Sequence, residues 1–190
     1  MNRSTQKPEM RAALKFLSAL AVALLLMLAF RALAFTIYTV DGEGLLPEFL
    51  PGDRVMVNRW SYGLRAGGQK GLFSYGRLWR QPVERGDIVA YDDPRDDSGE
   101  SVLFGRCLAL PGDSIRHQGQ LELVPSIANC ADADYYWIQA LGTQNPLDSR
   151  QLGFIAEEHI IGRAFLVVYS LAPDSSVFKS FRHDRFMMPK

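Results

Sequence analysis

One long apolar run opens the chain and many short, alternating runs follow it. From Phe16 to Phe30 the sequence reads FLSALAVALLLMLAF, 15 residues with one Ser and no charge. Extending it back over Ala12–Leu14, with Lys15 reaching the surface on its own methylene stem, gives 19 residues from Ala12 to Phe30. As a helix at about 1.5 Å per residue they cover roughly 28 Å, close to the thickness of a bilayer's hydrocarbon layer. The pattern predicts a membrane-crossing helix over 12–34. Beyond residue 35 the helical period disappears. Short β-branched and aromatic runs take over: TIYTV (36–40), DRVMVN (53–58), DIVAYD (87–92), SVLFGRCLAL (101–110), DSIRH (113–117), YYWIQ (135–139) and HIIGRAFLVVYS (159–170). Pro51-Gly52-Asp53, Arg85-Gly86-Asp87 and Pro111-Gly112-Asp113 each supply a turn just before a strand. Many short strands with frequent turns predict an all-β, mainly antiparallel body over 35–190. Residues 59–84, rich in Gly, aromatics and Arg, read as a long excursion from the sheet. Residues 118–134 read as a second, more polar one. No internal repeat is visible, and Met187–Lys190 is expected to be a frayed end.

Composition changes this picture in one respect. The 190 residues carry 21 basic and 21 acidic side chains, so the overall charge gives no reason to expect nucleic acid as a partner. The charge is unevenly spread, however. Residues 1–15 hold Arg3, Lys7, Arg11 and Lys15 against Glu9, a net +3, while the remainder has 17 basic and 20 acidic residues. By the positive-inside rule this basic segment (1–15) stays cytoplasmic and the body lies outside, at the cell (inner) membrane. A cleaved leader ending at Ala32-Leu33-Ala34 is the rival reading. Against it, Phe35–Val40 looks like a strand the fold needs, and Arg31 falls inside the cleavage region. Both readings put the body outside the cytoplasm.

Two Cys and three widely spaced His exclude a structural zinc site of ordinary spacing, and nothing calls for a metal or cofactor. Outside the cytoplasm, Cys107 and Cys130 are permitted a disulfide closing a loop of about 22 residues. Two unpaired thiols are the other reading, and spacing alone does not choose between them. His117, His159 and His183 have no motif around them and read as ordinary surface or satisfied histidines.

Three blocks, in order after the apolar segment, are more specific than any single turn. The first is Leu45-Leu46-Pro47-Glu48-Phe49-Leu50-Pro51-Gly52-Asp53, followed by Val55, Val57 and Tyr62-Gly63. The second joins Arg85-Gly86-Asp87-Ile88-Val89 to Arg106-Cys107-Leu108-Ala109-Leu110-Pro111-Gly112-Asp113. The third is Asp148-Ser149-Arg150, Gly153-Phe154-Ile155 and Ile161-Gly162-Arg163-Ala164. With the anchor they cover roughly half the chain. In these blocks the sequence resembles the type I signal peptidases (the S26-type), membrane-anchored Ser–Lys enzymes that remove signal peptides from exported proteins. The resemblance implies that family's β-body behind an N-terminal transmembrane helix.

The departures from that pattern fall on the chemistry. A Ser–Lys peptidase needs a hydroxyl nucleophile, a lysine kept neutral by burial to accept its proton, and donors for the oxyanion. Aligned on the blocks, the nucleophile position is Gly44 and the general-base position is Gly105. The serine that assists the oxyanion hole aligns with Gly42, and the serine that orients the lysine aligns with Pro146. None of the four has a side-chain functional group. The five lysines (7, 15, 70, 179 and 190) fall in no predicted strand of the body. Asp148, Ser149 and Arg150 correspond to a structural hydrogen-bond cluster of the family, so Ser149 is not a substitute nucleophile.

The resemblance therefore implies a peptidase scaffold without its catalytic pair. In the family a substrate lies extended along a strand edge, a mode in which main-chain hydrogen bonds give affinity and pockets give selectivity. By that analogy the groove here is lined by Gly42–Leu46 and Val102–Arg106, with Leu45, Leu46, Val102 and Phe104 as wall residues. The expected role is an inactive, membrane-anchored module that binds extended segments of exported proteins or partners an active signal peptidase. The alternative is an active signal peptidase using non-standard groups, for which Asp41, Glu43 and Glu48 are the nearest candidates. Read without that chemistry, all three are exposed loop carboxylates. The Leu45–Leu50 segment is expected either to pack in the core or to touch the outer leaflet.

Overall fold

The uninterrupted apolar run forms one helix, α1 (Gln6–Ala34), in a computed structural model that describes residues 6–40, 46, 48–67, 74–96, 101–129, 131–142, 147–171, 182 and 185–189, with 6–11 and 31–33 as backbone alone. Within α1, Ala12–Phe30 has a mean hydropathy of 2.4 and none of it is buried, so it is long and apolar enough to cross a membrane. Residues up to Phe35 form one compact unit and those from Thr36 onward a second.

The second unit is built on short strands. In chain order they are β1 (Phe35–Thr39), β2 (Asp53–Asn58), β3 (Leu64–Ala66), β4 (Gly76–Leu78), β5 (Ile88–Asp92) and β6 (Val102–Ala109). Then come β7 (Ser114–His117), β8 (Gln120–Leu123), β9 (Tyr135–Gln139), the one-turn helix α2 (Ser149–Leu152), β10 (Ile155–Ala156) and β11 (Ile160–Ser170). Seven strands form one sheet in the order β1-β2-β11-β5-β6-β9-β10, while β3-β4 and β7-β8 form separate two-stranded ribbons. The ladders from β2 across to β10 run antiparallel. The body is thus the mainly antiparallel β structure its pattern predicts.

Period-two alternation fills both faces of this sheet. From β5, Ile88 and Ala90 join Val55, Val57, Phe49 and Phe104 in one apolar cluster. Val89 and Tyr91 point the other way, into a cluster with Cys107, Tyr136, Ile138 and Ile155. Each fully buried Val or Ile contributes about 1.5–3 kcal/mol of transfer free energy, so the two clusters stabilise the sheet from both faces.

The three Gly-Asp turns are one device used three times. In each, the Asp N–H donates to the carbonyl three residues back: Asp53 to Leu50, Asp87 to Glu84 and Asp113 to Leu110. The carboxylate in turn accepts from that same residue's N–H, at 2.9, 3.2 and 2.6 Å. The glycine before each Asp has φ of +88°, +95° or +86°, a left-handed backbone that only glycine adopts without strain. An arginine from elsewhere completes each carboxylate: Arg185 on Asp53, Arg163 on Asp87 and Arg85 on Asp113. Sequence inspection finds no repeat because only two residues per turn recur.

Three local expectations are revised. The 59–84 excursion carries its own ribbon, β3-β4, and the 118–134 excursion begins with β8, which folds back on β7. β7 lies within the predicted run 113–117, whereas β3, β4 and β8 are too short and too polar to announce themselves by alternation. The C-terminal stretch is docked rather than frayed through Met187, whose carbonyl accepts from Val167 N–H at 2.9 Å. The preceding Arg185 reaches the buried Asp53 carboxylate at 2.7 Å, which fixes the segment against the body.

Candidate functional site

The turn that begins β2 and the strand β6 bring two of the sequence blocks together. Phe49 and Phe104 meet with ring centroids 5.9 Å apart, and Tyr38 of β1 closes on Phe104 edge-on at 6.3 Å. One residue before Phe49, Glu48 accepts from Arg106 of β6 at 3.0 Å. The backbone at Glu48 is also held, since its carbonyl accepts from Arg185 at 2.8 Å. Glu48 is therefore a half-buried, paired carboxylate and not an exposed loop group. Gly42, Gly44, Leu45, Asp41 and Glu43 lie outside the described residues, as does Pro146.

Gly105 is described, and its surroundings are informative. It is the Cα partner of Val89, so the two share the face of the Cys107–Ile138 cluster. Its neighbours Phe104 and Arg106 point to the opposite face, where Phe49 and Glu48 lie. A Cβ built on Gly105 would stand 2.6 Å from Ile138 Cγ2 and 2.7 Å from the carbonyl oxygen of Gln139. A backbone oxygen at that distance does not yield as a flexible side chain would. On this backbone a side chain at Gly105 is admitted only if β6 and β9 move apart.

The remaining candidates are placed as follows. Leu46 and Val102 are half-buried, Val102 packing on the cluster that contains Phe104. Phe104 itself is 4% exposed, so its ring serves the core and not an open groove wall. Only β5 pairs with Val102–Gly105 among the described residues, because the ladder to β9 begins at Arg106. Among the described residues the other side of Val102–Phe104 has no ladder partner, while Gly105 runs close to the Gln139 backbone.

Asp148 is fully buried at the start of α2. One oxygen accepts from Arg150 N–H at 2.9 Å, capping the helix, and the other accepts from Ala140 N–H at 2.9 Å and from the Arg150 guanidinium at 2.6 Å. Ser149 Oγ accepts from Ile138 N–H at 2.9 Å. Ser149 and Asp148 thus tie the start of α2 to β9 and the residue after it, while Arg150 holds the Asp148 carboxylate.

Cys107 is a free, fully buried thiol, pushed up to about 12 by burial and, second, by the Asp87 carboxylate. Cys130 lies outside the described residues. Burial likewise raises the Tyr62 hydroxyl, which donates to Asp87 at 2.8 Å. The His117 ring lies 5.0 Å from that of Trp137 and 3.6 Å from Glu122, and His159 is 4.0 Å from Glu158. His183 is outside the described residues. No group of three or more His, Cys, Asp or Glu among the described residues is arranged to hold a metal.

Residues 13–124, from the apolar helix through β8, match the family model of signal peptidase, peptidase S26. The chain belongs to that family. The match takes in Gly44 and Gly105 and ends before Asp148-Ser149-Arg150. Among relatives, the signal peptidase I of Buchnera aphidicola subsp. Baizongia pistaciae is 32% identical over 81 residues, 42% of this chain and 24% of the relative. The signal peptidase I of Buchnera aphidicola subsp. Acyrthosiphon pisum is 28% identical over 105 residues, 55% of this chain and 31% of the relative. The aligned part thus spans 24% to 31% of these relatives' length.

Sequence reasoning missed two features of this peptidase S26 body. Arg185 holds the turn before β2 from 132 residues away, and its local sequence carries no signal for that role. The crowding at Gly105 was also invisible, although a glycine inside an alternating strand is itself a sign of close backbone approach.

Proposed function

We propose that this chain is a membrane-anchored signal-peptidase-like protein that holds extended segments of exported proteins without cutting them. In this reading α1 crosses the cell membrane with the N-terminus cytoplasmic and the body outside. The single observation that carries it is the seat of Gly105. A lysine base needs space for a side chain of four methylenes directed at the nucleophile, and the space beside Gly105 is taken by Ile138 and the Gln139 carbonyl. Loss of a nucleophile alone would leave a site one substitution from activity. A filled base pocket points to a scaffold that has settled without the chemistry. The edge of Val102–Phe104 that carries no ladder among the described residues supports the binding half, since an extended peptide adds to a sheet there through its main chain.

The test pairs cleavage with binding. Detergent-solubilised full-length protein is mixed with a preprotein and, separately, with a fluorescent peptide copying its signal-peptide C-region. The expected result is intact preprotein and a saturable rise in anisotropy that unlabelled peptide reverses. Cleavage that disappears in Asp41→Asn or Glu43→Gln would establish instead an enzyme with unusual groups. No anisotropy change with the peptide would overturn the binding role.

A further inference from the structure

The C-terminal strap, residues 185–189, lies on the sheet as a bound peptide would. β11 pairs with β2 from Arg163 to Ser170 but with β5 only from Ile160 to Arg163. Beyond Arg163 the second edge of β11 is met by the chain's own C-terminal residues. Val167, whose Cα partner on β2 is Val55, donates its N–H to the Met187 carbonyl at 2.9 Å in an antiparallel bridge. Just before the strap, Arg182 N–H donates to the Ser170 carbonyl at 3.0 Å. Side chains of the strap then alternate as in an extended strand. Phe186 and Met188 point outward, 68% and 72% exposed, while Met187 packs against the cluster of Phe49, Val55, Phe104 and Val167.

Arg185 supplies the third kind of contact. Its guanidinium reaches the fully buried Asp53 carboxylate at 2.7 Å and the Glu48 carbonyl at 2.8 Å. A main-chain ladder bond, a charged hole and an apolar pocket are the means by which a sheet edge recognises an extended ligand. The hole demands a cation, because Asp53 without one is an uncompensated buried charge. It is also incompletely used. Asp53 Oδ1 and Arg185 Nε are both buried without a hydrogen-bond partner among the described residues. In a bidentate pair two guanidinium nitrogens meet both carboxylate oxygens, whereas here one nitrogen meets one oxygen. The tethered segment therefore fits this hole less well than an arginine free to approach it side-on.

We propose that the β11 edge beside Val167 is a peptide site that Arg185-Phe186-Met187 fills in cis, and that an extended segment of a partner protein, with Arg two residues before an apolar side chain, displaces the strap from it. The site is separate from the Val102–Phe104 edge and stands whether or not that edge binds anything. Tethering gives the strap an effective concentration on the order of millimolar, so the partner has to gain from contacts the strap leaves unmade. The two idle atoms at Asp53 are where it gains. Exchange there also reaches β6, since Arg185 fixes the Glu48 carbonyl and Glu48 holds Arg106 at 3.0 Å.

The probe is a synthetic peptide copying residues 182–190, with a control in which its second arginine is methionine. The full-length Arg185→Met chain, in detergent, has lost the cation of its own strap. The peptide is expected to bind it saturably and to restore most of the lost melting temperature, while the control binds about 30-fold or more weakly. Equal effects of peptide and control, or no recovery with either, would overturn the proposal. A melting temperature that rises with protein concentration and ignores the peptide would assign the edge to a second copy, and overturn it too. The unmodified chain gives a test that needs no variant to fold. Amide exchange at Val167 is expected to outrun that of the β2 ladder, because strap release exposes it without opening the sheet, and added peptide should slow it. Exchange of Val167 only at the rate of the whole sheet would show a fixed strap and sink the idea.

Discussion

The Arg106 guanidinium lies 3.0 Å from the Glu48 carboxylate, so the residue after Gly105 on β6 is paired with the turn that leads into β2. Both side chains keep about 30% exposure, and screening limits what the pair adds. Glu48→Gln is expected to lower stability by ~1 kcal/mol or less, with the difference shrinking in high salt, as read from urea midpoints.

Arg185 on the same turn should behave differently. Asp53 is fully buried, and Arg185 is its cationic partner at 2.7 Å as well as a donor to the Glu48 carbonyl. Removing one member of a buried pair leaves a charge without compensation, so Arg185→Met should cost about 3–5 kcal/mol. Thermal melts of the two variants side by side would separate the surface pair from the buried one.

Gly105→Ala should destabilise the body by about 1–3 kcal/mol, because the new methyl meets the Gln139 carbonyl and strands β6 and β9 must part to admit it. For the same reason, Gly44→Ser combined with Gly105→Lys is expected to stay inactive on a preprotein. Cleavage by that double variant, with an unchanged melting temperature, would show that the pocket opens readily.

Ser149→Ala should lower stability by about 1–2 kcal/mol, since it strips the buried Ile138 N–H of its acceptor. A reactive serine would instead be labelled by a fluorophosphonate probe. No labelling of Ser149, with a shifted melt for the Ala variant, is the expected pair of results.

Cys107 should resist alkylation. With its thiol pushed up to about 12, the thiolate is scarce at pH 8, and burial blocks access. In a Cys130→Ser background, folded protein should leave Cys107 unmodified by iodoacetamide while urea exposes it. The linkage has a definite sign. The folded thiol keeps its proton where the unfolded one, near pH 8.5, loses it, so its contribution to stability is full below that point and falls as pH rises toward 12.

Much of this architecture is legible along the chain because it is local. An apolar run of sufficient length specifies α1, and β2 and β9 form over the very residues, 53–58 and 135–139, that alternation marks. The Gly-Asp turns are legible too, since positive φ at glycine and the Asp side chain's bond to a residue three back involve only four positions. β7 is legible as well, within DSIRH (113–117), but its partner β8 and the ribbon β3-β4 are not, because three or four residues give alternation too few repeats to stand out.

What remained for the tertiary structure to decide is direction and partnership over long separations. The resemblance aligns Gly105 with a base position, but which face its missing side chain would enter depends on its register with Val89 and on how close β9 runs. The identity of the cation on each turn aspartate, and the meeting of Trp60 with Trp79, likewise depend on strand pairing between segments far apart in sequence. Local pattern encodes which residues prefer the interior and where the chain turns. Which buried groups then meet is set by packing the whole sheet at once, and that is a property no single segment carries.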